Sequence, residues 1–317
     1  MSIKFLYDRQ KTAITYGEQK ISYADVIKYV NFYSDFLDIE KGDRSALMME
    51  NRPECIFSFF SIWAKKGIAI SLDAGYTVDQ LAYVLGDSEP KYLFVSNKTK
   101  EVAEAANSKL NNAIKIINVD ELQMPADYKI KQEEFSNDSN EDIAVLVYTS
   151  GTTGNPKGVM ITYENIETNM AGVRAVDLVN ENDVILAMLP YHHIMPLCFT
   201  LILPMYLGVP IVLLTEISSA SLLKTLQENR VTVIVGVPRV WEMLDKAIMT
   251  KINQSSVAKF MFKLASKTNS MSIRKMLFSK VHKQFGGHIR LMVSGGAKID
   301  KSILEDFRTM GFRAIQG

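Results

Sequence analysis

Cysteine is scarce in this sequence: only Cys55 and Cys198 occur in 317 residues, far apart and both in apolar surroundings. A disulfide framework is therefore excluded, and both are expected to be buried thiols. No CxxC pair and no Cys/His cluster has zinc-site spacing. An excess of one charge is also missing. Lys plus Arg number 36 against 35 Asp plus Glu, a formal charge of +1, so nucleic acid is not indicated as the main partner. The N-terminal MSIKFLYDRQK lacks the apolar core and small-residue cleavage site of a signal peptide. One long apolar run, Ile194 to Leu214, has the length of a membrane span, but Pro196, Pro204, Pro210 and Gly208 interrupt it. Such a run fits a buried helix followed by a strand, and the expectation is a cytoplasmic protein without a transmembrane segment. Internal repeats of solenoid length and a clear linker are absent, so residues 1–317 read as one large domain with subdomains.

What is present is ordinary globular material: 47% hydrophobic and 22% charged residues. Short apolar bursts alternate with helical patterns. Asp43–Met49, Ile68–Leu72, Lys91–Val95, Ile114–Val119, Ile143–Tyr148, Val184–Leu189, Val231–Val237 and Ile289–Val293 read as strands. Glu54–Lys66 reads as an apolar helix ending at Gly67, a natural C-cap position, and Ser221–Asn229 as a second helix. Thr77-Val78-Asp79-Gln80 fits a capping box, with Leu81, Val84 and Leu85 on one face, and Thr162 is placed to cap a further helix. Residues 125–140 are polar and acidic, a surface connection. This alternation predicts an α/β fold of layered, largely parallel sheets.

The most informative segment is Tyr148-Thr149-Ser150-Gly151-Thr152-Thr153-Gly154-Asn155-Pro156-Lys157-Gly158. Gly151, Gly154 and Gly158 allow the backbone to approach a ligand closely and to point N–H groups inward. Hydroxyls from Thr149, Ser150, Thr152 and Thr153 can donate to anionic oxygens, and Lys157 adds a mobile positive charge. The segment follows a buried strand, where open α/β sheets hold ligands. These features describe a polyphosphate site. They do not make a Walker A loop, because Lys157 follows Pro156 and the hydroxyls lie upstream of it.

YTSGTTGNPKGV resembles the phosphate-binding signature of the adenylate-forming superfamily, which includes acyl-CoA synthetases, peptide-synthetase adenylation domains and beetle luciferase. Other segments agree in order. Residues 42–88 resemble the family's early region, with Ala74 where a proline usually follows the aspartate. Leu189-Pro190-Tyr191-His192-His193 resembles its Leu-Pro-x-x-His signature. Val237-Pro238-Arg239-Val240-Trp241-Glu242 resembles a stretch of fatty acyl-CoA synthetases. Ser294-Gly295-Gly296-Ala297 resembles the turn beside the adenine.

The resemblance implies the large N-terminal domain of the acyl-CoA synthetase/luciferase fold. It implies ATP-dependent activation of a carboxylate to an acyl-adenylate with loss of pyrophosphate, then acyl transfer to coenzyme A or a carrier-protein phosphopantetheine. A fatty acid is the substrate the VPRVWE stretch favours. On matched positions, Thr149, Ser150, Gly151, Thr152, Thr153, Gly154 and Lys157 would hold the ATP phosphates. His193 would shape the carboxylate's approach, with His192 a neighbour. Gly295, Gly296 and Ala297 would pass close to adenine, and Val237, Pro238 and Trp241 would line the acyl channel. His282 and His288 match nothing and are expected at the surface. The sequence ends, at Gly311–Gly317, where the family runs into a motif whose glutamate holds Mg2+, so no metal ligand is expected here. On this reading the chain is an N-terminal fragment, inactive alone and prone to self-association through apolar surface that missing strands would cover. Two alternatives remain: an amino-acid or aryl-acid adenylation domain, and a non-catalytic paralogue that binds nucleotide or acyl chains.

Overall fold

A computed structural model describes residues 2–4, 10–149, 156–216 and 218–317. The chain forms two compact units, residues 1–177 with 190–208, and residues 178–189 with 209–317.

The first unit begins with β1 (Ser2–Lys4), then a hairpin of β2 (Thr12–Tyr16) and β3 (Gln19–Ser22), and helix α1 (Tyr23–Ser34). Alternation follows: β4 (Arg44–Met48), α2 (Pro53–Ala64), β5 (Ile68–Leu72), α3 (Val78–Ser88), β6 (Tyr92–Val95), α4 (Lys100–Lys109) and β7 (Lys115–Asn118). Beyond β8 (Glu134–Ser136), which pairs with β1, come β9 (Ile143–Thr149), β10 (Lys157–Thr162) and α5 (Tyr163–Ala175). Six strands make one sheet in the order β10-β9-β5-β4-β6-β7, parallel except for the edge strand β10. One face packs Met48, Ile70, Leu93 and Val95 against Leu81, Val84 and Leu85 of α3 and Ala103 and Ala106 of α4. Helix α2 is buried along most of its length, as its almost unbroken apolar sequence requires. Its Trp63 indole donates to the Ala144 carbonyl at 2.9 Å, which ties the helix to β9.

Both expected caps form. Thr77 and Gln80 make a reciprocal capping box on α3, and Thr162 and Asn165 make one on α5. The end of α2 differs from expectation. Lys66, not Gly67, takes the left-handed conformation (φ 59°), and the Gly67 N–H donates to the Ile62 carbonyl in a Schellman closure. Gly67 is needed for space, since a Cβ there would lie 2.7 Å from Ile39 Cδ1. The apolar run from residue 194 is helical, as α6 (Ile194–Pro196), a π-helical turn (Leu197–Ile202) and α7 (Leu203–Leu207). Among the described residues no helix is long and apolar enough to cross a membrane.

The second unit holds β11 (Ile185–Ala187), β12 (Ile211–Leu213), α8 (Ser219–Asn229), β13 (Val233–Gly236), α9 (Pro238–Asn253), α10 (Ser256–Ser266), α11 (Met271–Leu277), α12 (Ser279–Gln284), β14 (Leu291–Ser294), α13 (Lys301–Thr309) and β15 (Ala314–Gln316). Its strands are parallel, in the order β15-β14-β13-β11-β12. A buried polar cluster pins the N-terminal ends of three of them. Asp183 accepts from Arg290 Nε at 3.0 Å, from Arg290 Nη2 and from the Thr232 hydroxyl at 2.7 Å. Burial pushes the Asp183 carboxyl up, but these donors outweigh it and hold the group below its ordinary value. His282 corrects the surface expectation: it stacks on Phe312 with ring centroids 4.0 Å apart, and its Nε2 lies 2.9 Å from the Met310 carbonyl oxygen.

Candidate active site

In the first unit, the C-terminal edge of the parallel strands gathers the residues singled out by sequence. Thr149 ends β9 and Lys157 opens β10, and the two are direct partners in the antiparallel ladder. The phosphate-type loop therefore leaves and returns at one point of the sheet edge, with the Lys157 side chain exposed. Ser150, Gly151, Thr152, Thr153 and Gly154 lie outside the described residues.

The flanks of the motif are packed for a reason. The Tyr148 hydroxyl donates to Asp87 of α3 at 2.5 Å, and a Cβ on Gly158 would lie 3.2 Å from Tyr148 Cζ. Tyr148 is thus held between α3 and a glycine that leaves it room. Burial, then the hydrogen bond to Asp87, raises its phenol well above the usual range, so it stays neutral.

Leu189-Pro190-Tyr191-His192-His193 passes from the second unit into the first, and Tyr191 and His192 are anchored by side chains that follow β4 and β5. The Tyr191 N–H donates to Asn51 Oδ1 at 3.2 Å. His192 Nε2 lies 3.8 Å from Asp73 Oδ2, and Asp73 Oδ1 accepts from the Gly75 N–H at 2.9 Å. The two imidazoles touch, with centroids 4.1 Å apart. Burial depresses the His192 pKa; Asp73 opposes that shift and His193 adds to it. His193 is exposed at the start of α6. Sequence reasoning named the histidines but missed Asn51 and Asp73 as their anchors. The available signal was position: each follows a buried parallel strand, where polar side chains face the ligand edge.

In the second unit the ends of β13 and β14 lie side by side. The Gly295 N–H donates to the Gly236 carbonyl at 3.0 Å, and Gly296 takes a left-handed conformation (φ 78°) beside exposed Ala297. Val237 precedes α9 as its N-cap and Pro238 takes its first position, where a missing N–H costs nothing. Trp241 lies over Gly236, where a Cβ would sit 3.0 Å from the indole, and meets Phe307 edge to face at 5.8 Å. Trp241 Nε1 and Ser294 Oγ are both buried without a hydrogen-bond partner among the described residues. Unsatisfied buried donors at a strand end are costly unless a ligand or water meets them. Small residues and spare donors thus meet at these strand ends. Among the described residues, no group of three or more His, Cys, Asp or Glu gathers to hold a metal ion.

Comparison with known proteins agrees with these features. The family model described as AMP-binding enzyme matches residues 7–317. Fatty acyl-CoA synthetase A of Dictyostelium discoideum is 28% identical over 303 residues, which cover 86% of this chain and 45% of that protein. The 2-succinylbenzoate–CoA ligase of Bacillus velezensis is 31% identical over 205 residues, 64% of this chain and 40% of that protein. Among solved structures, ATP-bound MatB from Rhodopseudomonas palustris superposes with a TM-score of 0.77 at 20% identity, covering all of this chain and 60% of that one. The inhibitor-bound N-terminal domain of FACL13 from Mycobacterium tuberculosis gives 0.76 at 20% identity, covering 97% and 71%. The chain thus spans about half the length of the curated relatives it matches. The fold is that of acyl-CoA synthetase structures, and the chain belongs to the AMP-binding enzyme family.

Proposed function

We propose that this chain supplies the ATP cradle and much of the acyl pocket of an AMP-forming acid–thiol ligase. In that reaction a carboxylate oxygen attacks the α-phosphorus of ATP and pyrophosphate departs. A thiol, of coenzyme A or of a carrier protein, then attacks the acyl carbon and AMP leaves. The observation that carries the reading is the Tyr148–Gly158 motif closed by the Thr149–Lys157 pair at a parallel sheet edge. Lys157 and the loop hydroxyls and N–H groups would hold the phosphates and meet the charge that develops on the leaving pyrophosphate. His193, held in place through Tyr191 and His192, would border the carboxylate's path. Gly295, Gly296 and Ala297 would admit adenine, and Val237, Pro238 and Trp241 would line the acyl channel.

A fatty acid is the preferred substrate. Relatives named as fatty acyl-CoA synthetase A and long-chain-fatty-acid–CoA ligase support it, as does the VPRVWE stretch. An aryl acid is the second reading, supported by the relative named 2-succinylbenzoate–CoA ligase. We place the activity in the cytoplasm, where ATP and free thiols such as Cys55 and Cys198 coexist. Nucleotide titration of the chain, with Lys157→Ala as comparison, tests the cradle. ATP binding weakened roughly 10- to 100-fold by the substitution supports the assignment, because one hydrogen bond to a charged group is worth about 1.5–3 kcal/mol; equal affinities would sink it. Acid-dependent pyrophosphate release by the whole protein, across fatty and aryl acids, decides the substrate.

A further inference from the structure

One stretch of the second unit has a charge unlike the rest of the chain. Residues 246–299 contain eleven of the 36 basic residues and none of the 35 acidic ones. Arg290 and Arg274 are spent internally, on Asp183 and on backbone carbonyls. The eight lysines from Lys246 to Lys283 are all exposed, and among the described residues none has a carboxylate in ion-pair contact. Lysines left unpaired along one helical layer make a strongly positive surface.

The same layer exposes apolar side chains. Of fourteen exposed large hydrophobic residues among the described residues, seven lie between Met243 and Met276, with Val257, Phe260 and Met276 68–69% accessible. On α10, Val257, Phe260 and Leu264 follow the i, i+3, i+7 spacing of one helical stripe. Lys259, Lys263 and Lys267, spaced by four, run beside it, while Ala265 is buried on another side. An exposed apolar stripe flanked by lysines is the pattern of a helix lying in a membrane interface: the stripe enters the headgroup–acyl boundary and the ammonium groups stay among the phosphates.

We propose that the α9–α12 layer docks this protein on an anionic lipid bilayer surface. Charge complementarity selects this occupant. Eight lysines, none of them in ion-pair contact among the described residues, outnumber the layer's two carboxylates, Glu242 and Asp245; they would repel a second copy of the same face and lose hydration without compensation against a neutral partner. The proposal does not depend on the adenylation reading, since no residue of the phosphate motif takes part.

Vesicle flotation of the chain tests it, using phosphatidylcholine vesicles with and without phosphatidylserine. Binding is expected only with phosphatidylserine, and is expected to fall steeply with added salt. Lys259→Gln with Lys263→Gln should weaken it roughly 30-fold, at about 1 kcal/mol for each lysine near the surface. Phe260→Ser with Leu264→Ser should abolish it. All four positions are exposed, so thermal midpoints should not move, and the lysine pair keeps the test valid if the apolar pair misfolds. No flotation, equal flotation with neutral vesicles, or unchanged binding by the lysine variant overturns the proposal. So does dissociation of a self-associated species by Phe260→Ser with Leu264→Ser while vesicle binding persists.

Discussion

The two units differ in where they leave charge unpaired. In the first, lysines at the surface find carboxylates: Lys66 meets Asp138, Lys91 meets Asp43, Lys100 meets Glu121 and Lys131 meets Asp35. Arg52, next to Asn51 of the candidate site, is shared by Glu54 and Asp120 at 2.7 Å each and Glu50 at 3.6 Å. The second unit has exposed pairs too, Lys224–Glu228 and Arg308–Glu305, but it also seats the Asp183–Arg290 pair at the strand starts, and among the described residues no α9–α12 lysine has an ion-pair partner. The difference is one of purpose. Surface pairs add little stability but remove net field, whereas a buried pair fixes strand position and an unpaired array projects its field outward.

Three substitutions probe this contrast, in falling order of expected effect. Arg290→Ala leaves Asp183 buried without its cation and should destabilise the second unit by about 3–5 kcal/mol. Denaturant unfolding followed by probes in each unit measures it; a loss shared equally by both units would mean that the buried pair is not local. Arg52→Ala should cost less, about 1–2 kcal/mol, because its carboxylates regain water. The smallest effect belongs to Asp245, whose Oδ1 is buried without a partner among the described residues. Burial, with Asp306 assisting, pushes its carboxyl from 3.8 up to about 6. The folded state therefore holds a proton that the unfolded state releases. Stability from this group is full below pH 3.8 and is lost as pH rises through about 6. Asp245→Asn should flatten that part of the pH–stability curve and add about 1 kcal/mol at neutral pH, allowing for partial solvent access. An unchanged slope between these values would count against the assignment.

Local chemistry made much of the first unit legible in sequence. The Thr77 and Thr162 boxes depend on residues three apart, and β5 is a bare apolar run, so both follow from neighbours alone. Strand β10 was not legible, because it lies at a sheet edge with Val159 and Met160 exposed and shows no burial alternation. The β2–β3 hairpin was missed for a related reason: its strands are short and its turn rests on Gly17 alone. The stacking of His282 on Phe312 joins residues thirty apart, beyond any periodic signal. At the candidate site, the motif residues were readable as chemistry. Their anchors Asn51 and Asp73 became apparent only once parallel strands set their ends along one edge, and Asp87 only once α3 met Tyr148.

The two cysteines, first noted for their scarcity, lend themselves to a kinetic use. Cys55 and Cys198 both lie in the first unit, 2% and 8% exposed, and burial pushes each thiol up to about 12. Neither offers a thiolate to an alkylating reagent while its surroundings stay closed. Their labelling rates therefore clock the opening of that unit, Cys55 from within α2 and Cys198 from the π-helical turn beyond His193. Slower labelling of Cys198 than of Cys55 when nucleotide is added would indicate that the ligand tightens the histidine segment first, without any engineered probe in the protein.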